Sequence, residues 1–320
     1  MADIIRYIDR DNNGGGTATG TTWADAYPTL DAWQTAEATD LVTATDNHIV
    51  YYRAASSNPR TSSFTMSGWT QDATHRVKVV VPPESRHTGR PYTGTHFDGG
   101  GFISSEYTIL EGLHIYWLTD YHVISNCVYN KMLIWGMRVR NNGASNVLIQ
   151  NTIMVNPRTS GNMEVFMNAT TGSQTLCVNC IGISSGTSIV FRSAGQILTV
   201  RSCFGHSYGG GQTYEGHNIS RSNCYGTVGT DMTGVTIITL QEAGLVEDDW
   251  DTGVIPLLTS ASVLIGASED NSAYTSGAGT SWYGGADDIF DTARPQGSAW
   301  DIGAHEFAVV VPMPQYIYGE

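Results

Sequence analysis

The sequence predicts an all-β solenoid, a single right-handed parallel β-helix with a short N-terminal capping helix. Two observations carry this: a composition built for strands and turns, and a short apolar motif that returns at steps of 21 to 28 residues. Only 14% of the 320 residues are charged, Gly numbers 36, and Lys78 and Lys131 are the only lysines. A helical protein of this size would carry many more Lys, Glu, Leu and Ala residues. Abundant Gly, Thr, Ser, Asn, Val, Ile and Tyr favour strands punctuated by turns instead.

The motif runs apolar, polar, Cys or Thr, apolar. It occurs as Ile124-Ser125-Asn126-Cys127-Val128, Ile149-Gln150-Asn151-Thr152-Ile153 and Val178-Asn179-Cys180-Ile181. It returns as Val200-Arg201-Ser202-Cys203-Phe204 and Ile219-Ser220-Arg221-Ser222-Asn223-Cys224-Tyr225, with an earlier relative at Leu110–Ile115. A repeat of this length built on short β-segments makes each repeat one coil, so equivalent positions stack into ladders along the axis. Cys127, Thr152, Cys180, Cys203 and Cys224 are therefore expected to form an internal structural ladder of small, soft groups, with the neighbouring Asn residues serving the turns. An odd number of cysteines argues against a disulfide framework, and Cys177-x-x-Cys180 lacks the second pair a zinc site needs.

A solenoid leaves unpaired backbone at both ends and needs caps. Pro28 suits a first helical position, and Leu30 and Trp33 share a face, which predicts a helix over roughly residues 28–38 covering the first coil. The expected divisions are a cap over 1–44, coils over 45–267, a closing segment over 268–307 and a tail over 308–320. The tail, Ala308–Tyr318, is apolar and proline-interrupted, as a docking arm would be.

Charge narrows the function classes. The net charge is −14, unevenly placed: −4 over residues 1–106, +3 over 107–230 and −13 over 231–320. Without a basic stripe, nucleic acid is not an expected partner. No stretch is long and apolar enough to span a bilayer, and the first ten residues lack the apolar core of a secretory signal. Taking Met1 as the natural start, the expectation is a protein made in a host cytoplasm and carried out in a virion; a secreted protein is the alternative.

Tyr7-Ile8-Asp9, Gly14-Gly15-Gly16 and Gly20-Thr21-Thr22-Trp23-Ala24-Asp25-Ala26-Tyr27 resemble the opening of pectate-lyase-like right-handed β-helix proteins. Pro256–Ala267 resembles a late coil of the same superfamily, and Arg294-Pro295 with Trp300–Phe307 resembles its closing motif. The resemblance spans roughly residues 5–307 and implies the fold. It leaves the activity open, because the superfamily holds lyases, hydrolases, adhesins and phage spike or decoration proteins. Arg294, Asp301 and Glu306 are read as a structural closure held by an internal ion pair.

Lyases of this superfamily use acids that bind calcium or neutralise a uronate, with a Lys or Arg base. Here that role would fall to Lys131 or to an arginine such as Arg201 or Arg221, which with Arg192 could form one row. Hydrolase signatures are reduced to Gly216-His217-Asn218, and Glu164 and Glu215 would serve as acid and base only at glycosidase distances. Asp9–Gly14 has the spacing of half a calcium loop without its closing Glu, so a turn is expected and calcium remains only an alternative. His206, Tyr208, Tyr214, Glu215 and His217 form the most suggestive loop, a carbohydrate platform of aromatic faces with polar neighbours. The expected function is a non-enzymatic phage structural protein (head decoration, head fibre or tail component), with capsid or tail proteins and a glycan as partners and a homotrimer as the assembly. A polysaccharide lyase or glycoside hydrolase is the alternative, and a secreted adhesin the second alternative.

Overall fold

The computed structural model describes residues 2–11, 18–87, 93–98, 102–125, 127–141, 144, 146–156, 165–168, 174–184, 190–194, 197–207, 214–216, 219–222, 224–226, 235–238, 264, 267 and 301. Among these, every strand pair is parallel. The first sheet stacks its strands in chain order: Ala2–Asp9, Asp46–Arg53, Val77–Val80, Ile109–Glu111, Val128–Asn130, Val147–Gln150, Gln174–Val178, Ile197–Arg201 and Ile219–Ser222. A second face stacks His96–Asp98 and the starts of His114–His122 and Leu133–Asn141, then Ile153–Asn156, Ile181–Ser184, Phe204–Ser207, Cys224–Gly226 and Val235–Ile237. The two nine-residue strands turn a corner at a register shift between Gly136 and Arg138. Their far ends begin a third face, continued by Phe166–Asn168, Phe191–Ser193 and Tyr214–Gly216. The chain is therefore a right-handed parallel β-helix, the hand that crossovers between parallel strands almost always take.

One residue turns the chain from the first face to the second in each central coil. Gly112, Lys131, Asn151, Asn179 and Ser202 all have positive φ, between 47° and 76°. Left-handed backbone costs a non-glycine residue about 1–2 kcal/mol, so at Lys131, Asn151, Asn179 and Ser202 something must offset it. Each turn residue donates its N–H to the carbonyl that ends the next coil's first-face strand: Gly112 to Asn130, Lys131 to Gln150, Asn151 to Val178, Asn179 to Arg201 and Ser202 to Ser222. These bonds are 3.0–3.2 Å long and tie consecutive coils together at the corner.

Inward columns fill the bore. Val50, Val79, Leu110, Tyr129, Ile149, Cys177 and Val200 follow one another in register, all fully buried. On the second face Phe97, Ile115, Ile134 and Met154 do the same. The alternate residues Leu133, Ile153, Ile181 and Phe204 are buried as well, so this sheet is covered on both sides. That explains why Ile153-Met154-Val155 reads as a continuous apolar run without polar alternation.

The capping helix α1 runs Leu30–Glu37, and a short helix α2 runs Leu41–Ala44. Thr29, not Pro28, opens α1: its hydroxyl accepts the Ala32 N–H at 3.0 Å, so Pro28 lies outside the helix rather than at its first position. Leu30 and Trp33 are buried, with Trp33 against Trp69 and Phe64. Stacking begins before α1, since Ala2–Asp9 is already the outermost strand of the first sheet and pairs with Asp46–Arg53 along its length. Among the described residues no helix is long and apolar enough to cross a membrane. Of the closing segment, Asp301 is described and buried; Arg294, Glu306 and the tail 308–320 lie outside the described residues.

Candidate functional site

The ladder positions come first, because they decide which reactive groups are spent on the fold. Extending the second-face register back by one residue aligns Met132, Thr152, Cys180, Cys203 and Cys224. Cys127 is not in this column. It precedes the first-face strand Val128–Asn130 and aligns with Thr108 and Val147, so the motif at 124–128 matches the others in residue type but sits at a different corner. The true turn of that coil is Asn130-Lys131-Met132, which the sequence disguises by placing Lys where Asn usually stands.

The reason for Cys or Thr in the column is a hydrogen bond. Thr152 Oγ1 donates to the Gln150 carbonyl at 2.8 Å, and the thiols of Cys180, Cys203 and Cys224 donate to the carbonyls of Val178, Arg201 and Ser222 at 3.2–3.4 Å. These are the same carbonyls that receive the left-handed turn residue of the preceding coil, so each uses both acceptor sites. All five cysteines are free and buried, and burial pushes Cys127 and Cys224 up to about 11 and Cys177 and Cys203 well above the usual thiol range. Those four remain thiols, not nucleophiles.

The arginine row does not form. Arg201 pairs with Ser222, whereas Arg221 pairs with Val200, a core residue, so the two arginines occupy opposite faces of adjacent strands. Arg221 stands on the inward register, near Tyr214 and Cys224, where burial holds its pKa below the usual guanidinium value. Arg192 pairs in register with Glu215 on the third face. Glu164 lies outside the described residues, as do Tyr208 and His217.

The carbohydrate platform is only partly visible, and what is visible points inward. Tyr214 is buried, stacked on Phe191 at 5.3 Å with an 8° interplanar angle, and its hydroxyl lies 3.0 Å from the carbonyls of both Cys203 and Tyr225. His206 is buried, which lowers its pKa to about 4. Neither can stack on or donate to an external sugar. The aromatic spacing that suggests a platform is a core ladder, because strand alternation sends Phe166, Phe191 and Tyr214 into the bore.

The open chemistry lies instead at the N-terminal end. A cleft of about 440 Å³ is lined by Asp11, Arg53–Ser56, Glu84–Arg86 and Gly94. Asp9 does not sit in a cation loop: its Oδ2 receives Arg53 Nε and Nη2 at 2.9 and 2.6 Å, and its Oδ1 receives the Asp11 N–H. Asp11 accepts from Asn58 and from the Ala55 N–H. Behind the cleft, buried Glu111 receives Lys78 at 2.8 Å and Arg86 at 2.9 Å. Burial alone would raise the Glu111 pKa, but Lys78, Lys131 and Arg86 outweigh it and hold the carboxylate below its ordinary value. Both lysines of the chain thus surround one carboxylate, and Lys131, buried in its turn, has no path to a solvent-borne substrate. His87 Nε2 lies 3.1 Å from the Lys131 carbonyl, which fixes the Nε2–H tautomer; burial lowers its pKa to about 4. His114 packs against His87 and His96, and its pKa is pushed well below the usual imidazole range, first by burial and then by those two rings.

No family model and no curated protein sequence matches the chain. Among solved structures it is similar to a crystal structure of pectate lyase Pel9A, at 13% identity and a TM-score of 0.42, with 96% of this chain and 97% of that chain covered. The assignment of the chain as a parallel β-helix rests on its own strand ladder.

Proposed function

We propose that the chain is a non-enzymatic structural protein of a phage particle, its β-helix serving as the shaft of a head decoration, head fibre or tail component. The observation that supports this reading is the closed corner ladder. Consecutive coils are tied by turn N–H groups, and the thiols and hydroxyls that might have done chemistry complete the same carbonyls. Tyr214, His206 and Lys131 are consumed in packing, which suits a stiff spacer. The acidic stretch 231–320, at −13, is the proposed docking surface, with the tail 308–320 as its arm and a homotrimer as the assembly.

Cryo-electron microscopy of particles from cells producing the chain should show symmetric, stoichiometric occupancy. Deleting residues 308–320 should leave the fold intact and remove that occupancy. Robust cleavage of an acidic or neutral polysaccharide, followed as unsaturated products or reducing ends and abolished by Glu215→Gln or Arg201→Ala, would overturn the reading in favour of a lyase or hydrolase.

A further inference from the structure

We propose that the N-terminal cleft binds a neutral saccharide. This goes beyond the structural reading and does not depend on it, since a shaft needs no cleft. The cleft falls within the volume range of small-ligand sites, about 300–1,000 Å³. Its walls are fixed by groups the solenoid does not otherwise use. Thr95, fully buried, binds the N–H and C=O of Ala54 through its hydroxyl at 3.0 and 3.2 Å and donates its own N–H to Ser85 at 2.7 Å. That clamps the two lining segments together. Gly94 adopts φ +64°, and a Cβ there would lie 2.3 Å from the Arg86 carbonyl, so only glycine lets these two segments approach at this point.

The functional groups match hydroxyls better than charges. Arg53 carries its compensating anion, Asp9, and Arg86 carries Glu111. Both guanidinium groups are therefore held in a fixed geometry by a carboxylate, Glu111 being shared between Arg86 and Lys78. Asp11 and Glu84 are exposed carboxylates at the same cleft, acceptors for the paired hydroxyls of a pyranose and repulsive to a uronate, sulfate or phosphate. An aromatic strip continues from the cleft through Arg53, whose guanidinium lies 4.0 Å over the Trp23 ring. Trp23 meets Tyr7 edge-on at 4.8 Å, and Tyr7 stacks on Tyr51 at 5.6 Å. These three rings are partly exposed, on the outer side of the first sheet, where sugar C–H surfaces can pack against them.

The test uses the full chain with gluco-, manno- and galacto-oligosaccharides, and uronate-containing oligosaccharides as the charged arm, read by saturation-transfer NMR and calorimetry. The expected result is binding of a neutral member, weakened about tenfold or more by Glu84→Ala with an unchanged melting curve, and by Tyr51→Ala with an unchanged circular dichroism spectrum at the assay temperature. Tyr208→Ala should leave the affinity as it was. Failure of every neutral member to bind, binding of uronates alone, or binding that survives both cleft variants and disappears in Tyr208→Ala would overturn the proposal. None of these results bears on particle occupancy, so the two readings fail separately.

Discussion

The first hundred residues and the central coils are held together by different physics. In the first region ion pairs run from Arg6–Glu37 to Arg86–Glu111, joined by aromatic stacks at Trp33, Trp69, Tyr7 and Tyr51. From Asn151 to Cys203 the coils repeat one device, a left-handed corner residue followed by Thr or Cys as a small donor. Repetition works only where successive coils are alike in length. Steps along the first sheet shorten from 44 residues between Ile5 and Ile49 to 21 between Leu198 and Ile219. The long early coils carry insertions, and those need individual side-chain contacts to hold them. Such loops are also where a binding cleft can be built without breaking the ladder.

The contrast can be tested first with acid, which strikes both regions. His87 and His206 have folded pKa values of about 4, below the unfolded value near 6.5. The native state therefore binds fewer protons, and stability is complete above about pH 6.5 and lost as pH falls towards 4. Each group should cost about 3 kcal/mol by pH 4. Denaturant midpoints measured across this window should fall steeply; His87→Gln and His206→Gln should each flatten the slope, and an unchanged slope would contradict neutral burial.

A second experiment separates the regions. Glu111→Ala leaves Lys78 and Arg86 facing each other without their carboxylate, and should cost about 3–5 kcal/mol. Hydrogen exchange should show the loss in residues 77–141, with coils beyond Gln174 protected as before. Uniform loss along the shaft would mean that the two regions do not differ in the way the contacts suggest.

Smaller effects belong to the corner. Asn179, at φ +52°, should tolerate Gly better than Val; Asn179→Val should cost on the order of 2 kcal/mol in thermal melts, and equal melting of the two variants would remove the strain argument. The smallest expected signal is none at all. Because all five thiols are buried, a disulfide reagent at pH 8 should leave the native cysteines unmodified and react with them only after unfolding. Fast labelling of Cys180 or Cys203 would break the ladder.

Much of the fold was legible in residues that repeat. Asn151-Thr152, Asn179-Cys180 and Ser202-Cys203 announce their corner by type and spacing, and Leu30 with Trp33 announces the cap. Cys127 was misplaced because a motif of five residue types does not encode which corner it occupies; only strand register decides that. Lys131 was invisible as a corner residue because its left-handed backbone is stabilised by the next coil, not by its own side chain.

The candidate site was less legible for the same reason. Arg201 and Arg221 look equivalent beside their cysteines, yet a one-residue offset in pairing sends them to opposite faces. Tyr214 looks like a sugar-stacking ring until the third face turns it into the bore. Asp11, Arg53, Glu84 and Gly94 are spread over more than eighty residues of chain and meet only when the long early coils close. By itself, then, the sequence determined what is periodic and local: an all-β chain, the coil, the cap and the soft interior column. What only the tertiary structure decided is which side chains face outward and which distant ones share a cleft. Facing is set by register at single-residue resolution, and register is fixed by packing between coils rather than by any one coil's composition.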